Sequence, residues 1–94
     1  MRMDFYKIDV KKLFGTALRD LRKGHGMSQE ILADSASLHR TYISDIERGK
    51  RNPSLIIIVR LAAALKVPCT ALFPFADQIE KSNPGKANPG KSGS

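Results

Sequence analysis

Residues 39–54, HRTYISDIERGKRNPS, are rich in charged side chains that could bind a polyanion. Arginine, lysine and histidine occur here together with two carboxylates and a tyrosine. An arginine can donate two hydrogen bonds to O6 and N7 of guanine, and either lysine or arginine can neutralise a phosphate. The stretch therefore fits a surface that binds nucleic acid. The plainer alternative is a solvated helix with a turn behind it.

Residues that could catalyse reactions or hold a metal are sparse by comparison. His25, His39 and the single cysteine, Cys69, show no metal-ligand spacing such as C-x-x-C, and no glycine-rich phosphate loop or nucleophile motif is present. We therefore expect no enzyme, no metal site and no cofactor. Cys69 lies among apolar residues, which favours a buried thiol. A lone cysteine excludes an internal disulfide and fits a reducing compartment.

Length and charge narrow the class of protein further. The chain has 94 residues, a net charge of +7 and 41% apolar residues, which fits one small globular domain with a modest core. A deep small-molecule pocket is hard to build at this size, and the basic surplus favours nucleic acid as partner before anionic membrane. The longest apolar run, 55–59, is far shorter than the roughly 20 residues of a membrane span. Because charges interrupt the N-terminus, we expect a cytoplasmic protein without a secretory signal.

Composition divides the chain into three parts. Residues 1–10 form an N-terminal extension, 11–75 the domain, and 76–94 a tail rich in proline, glycine and lysine. The tail repeats Asn-Pro-Gly-Lys at 83–86 and 88–91. It lacks the apolar residues that would offset the entropy of ordering, so we expect it to be disordered.

Helical periodicity runs through the domain, and no segment alternates with period two, so we expect an all-α fold. Five helices are expected: one that ends at Gly24, and others at about 29–36, 39–48, 52–66 and 68–73. A serine at 28 suits the N-cap of the second helix, and a glycine at 49 suits the end of the third. The core-facing residues expected in the first, second and fourth helices include Val10, Leu13, Phe14, Ala17, Leu18, Leu21, Ile31, Leu32, Ala36, Leu55, Ile58, Leu61, Ala62 and Leu65.

The segment MSQEILADSASLHRTYISDIERGKRNPS holds two short helices separated by a few residues, the spacing of a helix-turn-helix. With LRDLRKGHG before it and LIIIVRLAAALKV after it, the chain resembles the lambda-repressor-like (Cro/XRE-type) DNA-binding domains over about residues 11–73. The resemblance implies a compact five-helix fold and double-stranded DNA as partner. Ser37 stands where the family usually has glycine, which costs about 1 kcal/mol if the backbone there is left-handed. Pro68 stands where a polar cap often starts the last helix.

Helix periodicity and the resemblance together assign the DNA contacts. The N-terminal residues of the recognition helix reach base edges, so Arg40, Thr41 and Ser44 are predicted to read bases. Asp45 either accepts from cytosine N4 or orients Arg48, and the second is favoured. The predicted phosphate contacts are Ser28, Gln29, Tyr42, Lys50, Arg51 and Asn52. The ring of Tyr42 could instead pack on the second helix.

Two further assignments follow from the resemblance. Family members often pair the positions of Arg22 and Glu47, which predicts a structural ion pair between the first and third helices. The apolar excess at 55–59 suggests an interface, and dimers of this fold pair through their last two helices. The predicted dimer interface comprises Ile56, Ile57, Val59, Phe73 and Phe75. Alternatively, the N-terminal extension folds back over these residues.

The sequence therefore predicts a transcriptional regulator that binds double-stranded DNA specifically, as a homodimer on a pseudo-palindromic operator. Within this class, RTYISDIERGKRN is similar to the controller proteins of restriction–modification systems. An alternative of another class is an antitoxin-like or adaptor protein that binds a protein partner. A neighbouring methyltransferase gene would favour the controller role, and co-purification with a small toxin would favour the antitoxin role.

Overall fold

The computed structural model describes residues 8–77, and the helices named below lie within the compact unit Val10–Phe73. In chain order the helices are α1 (Val10–Gly24), α2 (Gln29–Ala36), α3 (Arg40–Glu47) and α4 (Leu55–Leu65), followed by a 3-10 helix at Cys69–Leu72. The described range contains no strand, so the all-α class is confirmed. No helix within it is long and apolar enough to cross a membrane. Nearly all of the N-terminal extension and of the tail lies outside the described residues, as does the proposed fold-back of the extension.

The short last helix expected at about 68–73 is present only as a four-residue 3-10 helix, so a count of five α-helices is not confirmed. Two prolines explain its shortness. Pro68 has an extended backbone (φ −69°, ψ 152°) and precedes the first helical residue. Phe73 precedes Pro74 and leaves the helical region (φ −126°, ψ 51°), as residues before proline tend to do.

Serine caps fix the starts of α2 and α4. The Oγ atom of Ser28 accepts a hydrogen bond from the Ile31 amide at 3.0 Å, and that of Ser54 accepts from the Ile57 amide at 3.2 Å. Ser37 ends α2 in the left-handed region, with φ 59° and ψ 46°. The turn between α2 and α3 therefore has the left-handed geometry that glycine adopts more easily. Because the chain reverses at Ser37, α3 begins only four residues after the end of α2, which is the spacing of a helix-turn-helix.

The core is formed by one apolar side of each helix. α1 packs on α3, α2 packs on α3 and α4, and the 3-10 helix packs on α1 and α4. The rings of Phe14 and Phe73 lie 5.3 Å apart between their centroids, which joins the start of the unit to its end. The side chains that are fully buried are Leu18, Leu32, Ile43, Ile46, Leu61, Leu65 and Leu72.

Four residues expected in the core lie at the surface instead. Val10 and Leu55 are the first residues of α1 and α4, and they are 39% and 76% exposed. Ile31 is 52% exposed because α2 buries the side that carries Leu32, Ala33 and Ala36. Cys69, expected to be a buried thiol, is exposed at the start of the 3-10 helix.

Gly15 lets the backbones of α1 and α3 approach each other closely. A Cβ atom built at this position would lie 2.7 Å from the carbonyl oxygen of Glu47 and closer still to that of Ile46. Both are backbone atoms of α3, so neither can rotate away. The absence of a side chain at position 15 therefore sets the distance between α1 and α3.

Replacing Gly15 by alanine should destabilise the protein by at least about 2 kcal/mol, because overpacking against backbone forces the helices apart. Urea unfolding followed by circular dichroism measures the change. Gly24→Ala is the matched control: a Cβ at Gly24 meets nothing within 4 Å, so this variant should be neutral or slightly more stable. Equal stability of the two variants would contradict the close approach.

Candidate nucleic-acid interface

One side of α3 faces outward and carries the predicted base-reading residues. Arg40 and Thr41 are exposed in its first turn, and Ser44 is partly exposed one turn later. The opposite side holds Ile43 and Ile46, both fully buried. The structure therefore places the three predicted readers together, at the end of the helix where side chains reach base edges in the major groove.

Beneath this face, Arg22 and Glu47 form a buried ion pair between α1 and α3. The Nε atom of Arg22 lies 2.7 Å from Oε2 of Glu47, and its second guanidinium nitrogen donates to Oε1 at 3.1 Å. Only 9% of the Arg22 side chain and 3% of the Glu47 side chain are exposed. Arg22 also donates to the carbonyl of Met27 at 2.9 Å, which fixes the chain entering α2. The ion pair predicted between the first and third helices is therefore present, and it is buried.

Gln29 extends this buried pair to the surface. Its Nε2 atom donates to Oε1 of Glu47 at 2.9 Å, and its Oε1 atom accepts from a guanidinium nitrogen of Arg40 at 3.3 Å. Gln29, predicted to contact phosphate, thus uses both ends of its amide inside the protein. The result is a continuous chain of side chains from the buried Arg22 to the exposed Arg40.

A second cluster lies farther along the recognition helix; we call Tyr42, Asp45, Arg48 and Arg51 the Asp45 cluster. Arg48 donates to Oδ1 of Asp45 at 2.7 Å, and Nε of Arg51 lies 3.5 Å from Oδ2. The guanidinium carbon of Arg51 lies 5.1 Å from the centroid of the Tyr42 ring, a cation–π arrangement. The favoured interpretation of Asp45, that it orients Arg48, agrees with this hydrogen bond. The Tyr42 ring contact with Arg51 was not foreseen.

Asp45 remains ionised at neutral pH. The hydrogen bond from Arg48 lowers the pKa of its carboxyl below the usual value, and Arg51 acts in the same direction. Partial desolvation opposes this lowering. The recognition face therefore carries one fixed negative charge among its cations.

The remaining predicted phosphate contacts are all exposed. Lys50, Arg51 and Asn52 lie in the segment between α3 and α4, and Ser28 lies at the N-terminus of α2. The Oγ atom of Ser28 accepts the capping hydrogen bond, so its hydroxyl can contact a phosphate only as a donor. A shallow groove beside the start of α3 is lined by Ser37, Leu38, His39, Thr41, Tyr42 and Arg51. Over residues 8–77, no three His, Cys, Asp or Glu side chains are grouped so that they could hold a metal ion.

An apolar surface on α4 lies apart from the recognition face. Ile56 is 68% exposed and Val59 51% exposed, and Leu55 belongs with them. The other residues predicted for a dimer interface are less available. Ile57 and Phe73 are partly buried, the latter against Phe14. Phe75 is 6% exposed, so it adds little to an accessible apolar surface. The α4 surface is accordingly defined as Leu55, Ile56 and Val59.

A family model described as helix-turn-helix matches residues 18–72, which include α2, the turn and α3. The chain therefore belongs to the Cro/XRE-type helix-turn-helix family and is a DNA-binding transcription regulator.

Two relatives and one solved structure make the resemblance specific. The chain is 48% identical over 68 residues to the control protein C.BamHI of Bacillus amyloliquefaciens, covering 71% of this chain and 84% of that protein. It is 44% identical over 74 residues to the control protein C.MunI of Mycoplasma sp., covering 78% and 96% of the two chains. The crystal structure of the restriction–modification controller protein C.AhdI from Aeromonas hydrophila has 44% identity and a TM-score of 0.69, over 70% of this chain and 100% of that one.

Breaking the buried pair should be costly. Glu47→Ala leaves the buried Arg22 without a counter-ion and Gln29 without an acceptor for its Nε2 atom, so we expect a loss of about 3–5 kcal/mol in the free energy of unfolding. Chemical denaturation of the purified variant measures this loss. In the double variant Arg22→Met/Glu47→Leu no charge is left unpaired, and its loss should be clearly smaller than that of Glu47→Ala. A larger loss in the double variant would mean that packing, and not the unpaired charge, sets the cost.

Proposed function

We propose that the protein is a non-enzymatic, cytoplasmic transcription factor that reads a specific DNA sequence through α3 and binds a pseudo-palindromic operator as a homodimer. The observation that carries this proposal is the position of Arg40. Arg40 is the first residue of α3 and is exposed. Its guanidinium donates a hydrogen bond to Gln29, which in turn donates one to the buried Glu47. A side chain anchored in this way loses little conformational freedom on binding, which favours a directed contact over a diffuse one.

In this mechanism α3 enters the major groove with its N-terminal turn. Arg40 donates two hydrogen bonds to O6 and N7 of a guanine, and the Thr41 methyl group contacts a thymine. Ser44 reaches the next base edge. Lys50, Asn52 and the first amides of α2 contact phosphates, which supply affinity and salt dependence without reading sequence.

Arg40→Ala should relax one base preference and weaken binding to the preferred sequence by about 1–3 kcal/mol. Selection of bound sequences from random duplex DNA, followed by titration of the selected site, measures both effects. Lys50→Ala is the control, because loss of a phosphate contact weakens all sequences alike and lowers the salt slope by about 1. If Arg40→Ala weakened every sequence equally, Arg40 would not read a base.

The α4 surface supports the homodimer. Leu55, Ile56 and Val59 are contiguous on one side of a short helix, and solvent exposure of three large apolar side chains is unfavourable. A two-fold dimer formed there would bury each copy of the surface against the other. Two recognition helices would then contact half-sites about one DNA turn apart.

Ile56→Asp should convert the dimer into a monomer, because a carboxylate cannot be buried without a partner. Sedimentation equilibrium at tens of micromolar would show the change in mass, and the operator affinity should fall with it. Ile31→Asp, on the exposed side of α2, introduces the same charge outside the α4 surface and should leave the mass unchanged. A wild-type protein that is monomeric at this concentration would exclude the dimer.

We extend the proposal to the role that the relatives' names describe. Control proteins C.BamHI and C.MunI and the controller C.AhdI are similar to this chain over most of their length. We infer the same role here, control of restriction–modification genes. The test is to measure transcription from the promoters of an adjacent methyltransferase or endonuclease gene with and without the protein. If no such gene lies nearby, the general regulator role remains and the controller role does not.

A further inference from the structure

The carboxylate of Asp45 stands on a surface whose other assigned function is to approach a polyanion. A negative charge there repels the phosphate backbone and lowers affinity for every duplex. Asp45 is partly exposed and lies in the middle of α3, so it does not serve the core. Its function must therefore be sought in the two arginines that it contacts.

Both carboxylate oxygens of Asp45 are engaged within the protein. Oδ1 accepts from Arg48 at 2.7 Å, and Oδ2 lies 3.5 Å from Nε of Arg51. A carboxylate used in this way is poorly placed to accept a hydrogen bond from a cytosine amino group. The geometry thus disfavours direct base reading by Asp45.

The two arginines are restrained but still accessible. Their side chains remain 57% and 53% exposed, whereas Asp45 is only 19% exposed. Each guanidinium has five N–H donors, and Asp45 uses only some of them. Arg51 is also stacked on Tyr42. Both cations can therefore contact a phosphate without leaving Asp45, provided that the phosphate lies in the right place.

The net charge of these three groups affects non-specific and specific DNA binding differently. Two guanidiniums and one carboxylate give the three groups a net charge of +1 (two minus one), so Asp45 removes one of two positive charges. Non-specific binding depends almost wholly on positive charge, so its affinity falls by the full contribution of the neutralised charge. A specific complex regains part of it, because pre-oriented donors form directed contacts at a smaller entropy cost.

We propose that Asp45 is a specificity-determining positioning residue, which holds Arg48 and Arg51 in place over the end of α3 and thereby suppresses binding to non-cognate DNA. This inference rests on the proposed function, since it presumes that α3 reads a preferred sequence. The macromolecule it concerns is double-stranded DNA of arbitrary sequence. The role of Asp45 is to lower affinity for that competitor while preserving affinity for the preferred site.

The test compares wild type with Asp45→Asn on a selected site and on a scrambled duplex of equal length, at several salt concentrations. One released cation adds about one phosphate contact, so the salt slope on the scrambled duplex should steepen by about 0.9. The same relation gives a gain of about fivefold in its affinity at 0.15 M salt, relative to a 1 M reference. Affinity for the selected site should stay equal or fall, so the ratio of specific to non-specific affinity should fall at least about fivefold.

Two variants make the result interpretable. Asp20→Asn changes net charge equally at an exposed position of α1, and it should leave the ratio unchanged. Adding Asp45→Asn to an Arg48→Gln/Arg51→Gln variant should then have no effect on the ratio, because Asp45 acts through those arginines. A persistent effect in that background, or a loss of one base preference in Asp45→Asn, would overturn the inference in favour of direct base reading.

The outcomes also separate this inference from the proposed function. A wild-type protein that binds the selected site specifically, with an unchanged ratio in Asp45→Asn, would overturn the role of Asp45 and leave sequence-specific binding intact. A wild-type protein with no sequence preference would overturn both. A fall in the ratio that depends on the two arginines supports the role of Asp45.

Discussion

The buried ion pair between Arg22 and Glu47 is the interaction on which the recognition surface depends. Two opposite charges removed from water are tolerated only when each satisfies the other, and here the guanidinium reaches both carboxylate oxygens. Because the partners belong to α1 and α3, their pairing fixes the recognition helix to the scaffold. Because Glu47 also accepts from Gln29, the same pair determines where the Gln29 amide lies and so where Arg40 is held.

The surface of the helix-turn-helix thus contains cations restrained in two different ways. Arg40 is restrained from below by a neutral amide, which leaves its full positive charge available. Arg48 and Arg51 are restrained from the side by a carboxylate, which neutralises part of their charge. In the proposed mechanism Arg40 contacts a base, and it benefits from the first kind of restraint because affinity and direction increase together. A side chain near the phosphates benefits from the second, because direction increases while indiscriminate attraction falls.

The sequence was sufficient for features that depend on local chemistry. Serine at a helix start, glycine at a helix end and apolar residues at helical spacing predict the bounds of α2, α3 and α4 to within a few residues. The outward position of Arg40 and Thr41 follows from periodicity alone. The family resemblance added the partners Arg22 and Glu47, which lie 25 residues apart in sequence.

Features that depend on tertiary approach could not be predicted in the same way. Leu55 fits the apolar stripe of α4, but it is the first residue of the helix, and whether anything covers it depends on the neighbouring loop. The contacts of Gln29 with Arg40 and of Tyr42 with Arg51 require knowing how α2 and the 48–52 segment approach α3. For the contact between Gln29 and Glu47, the sequence offers only a glutamine at the first position of α2 and a glutamate at the last position of α3. Neither residue type identifies its hydrogen-bond partner unless the fold is known.

Gly15 has a consequence for how proteins of this kind diverge. The close approach of the α1 backbone at Gly15 to the backbone of Ile46 and Glu47 acts together with the buried ion pair to fix the position of α3. Substitutions on the outer side of α3 therefore leave the axis where it is. In the proposed mechanism, base preference can then change through Arg40, Thr41 and Ser44 one residue at a time, while the helix keeps its place on the scaffold. The scaffold thereby separates sequence preference from stability, so that the outer side of α3 can be redesigned for a new operator without repacking the core.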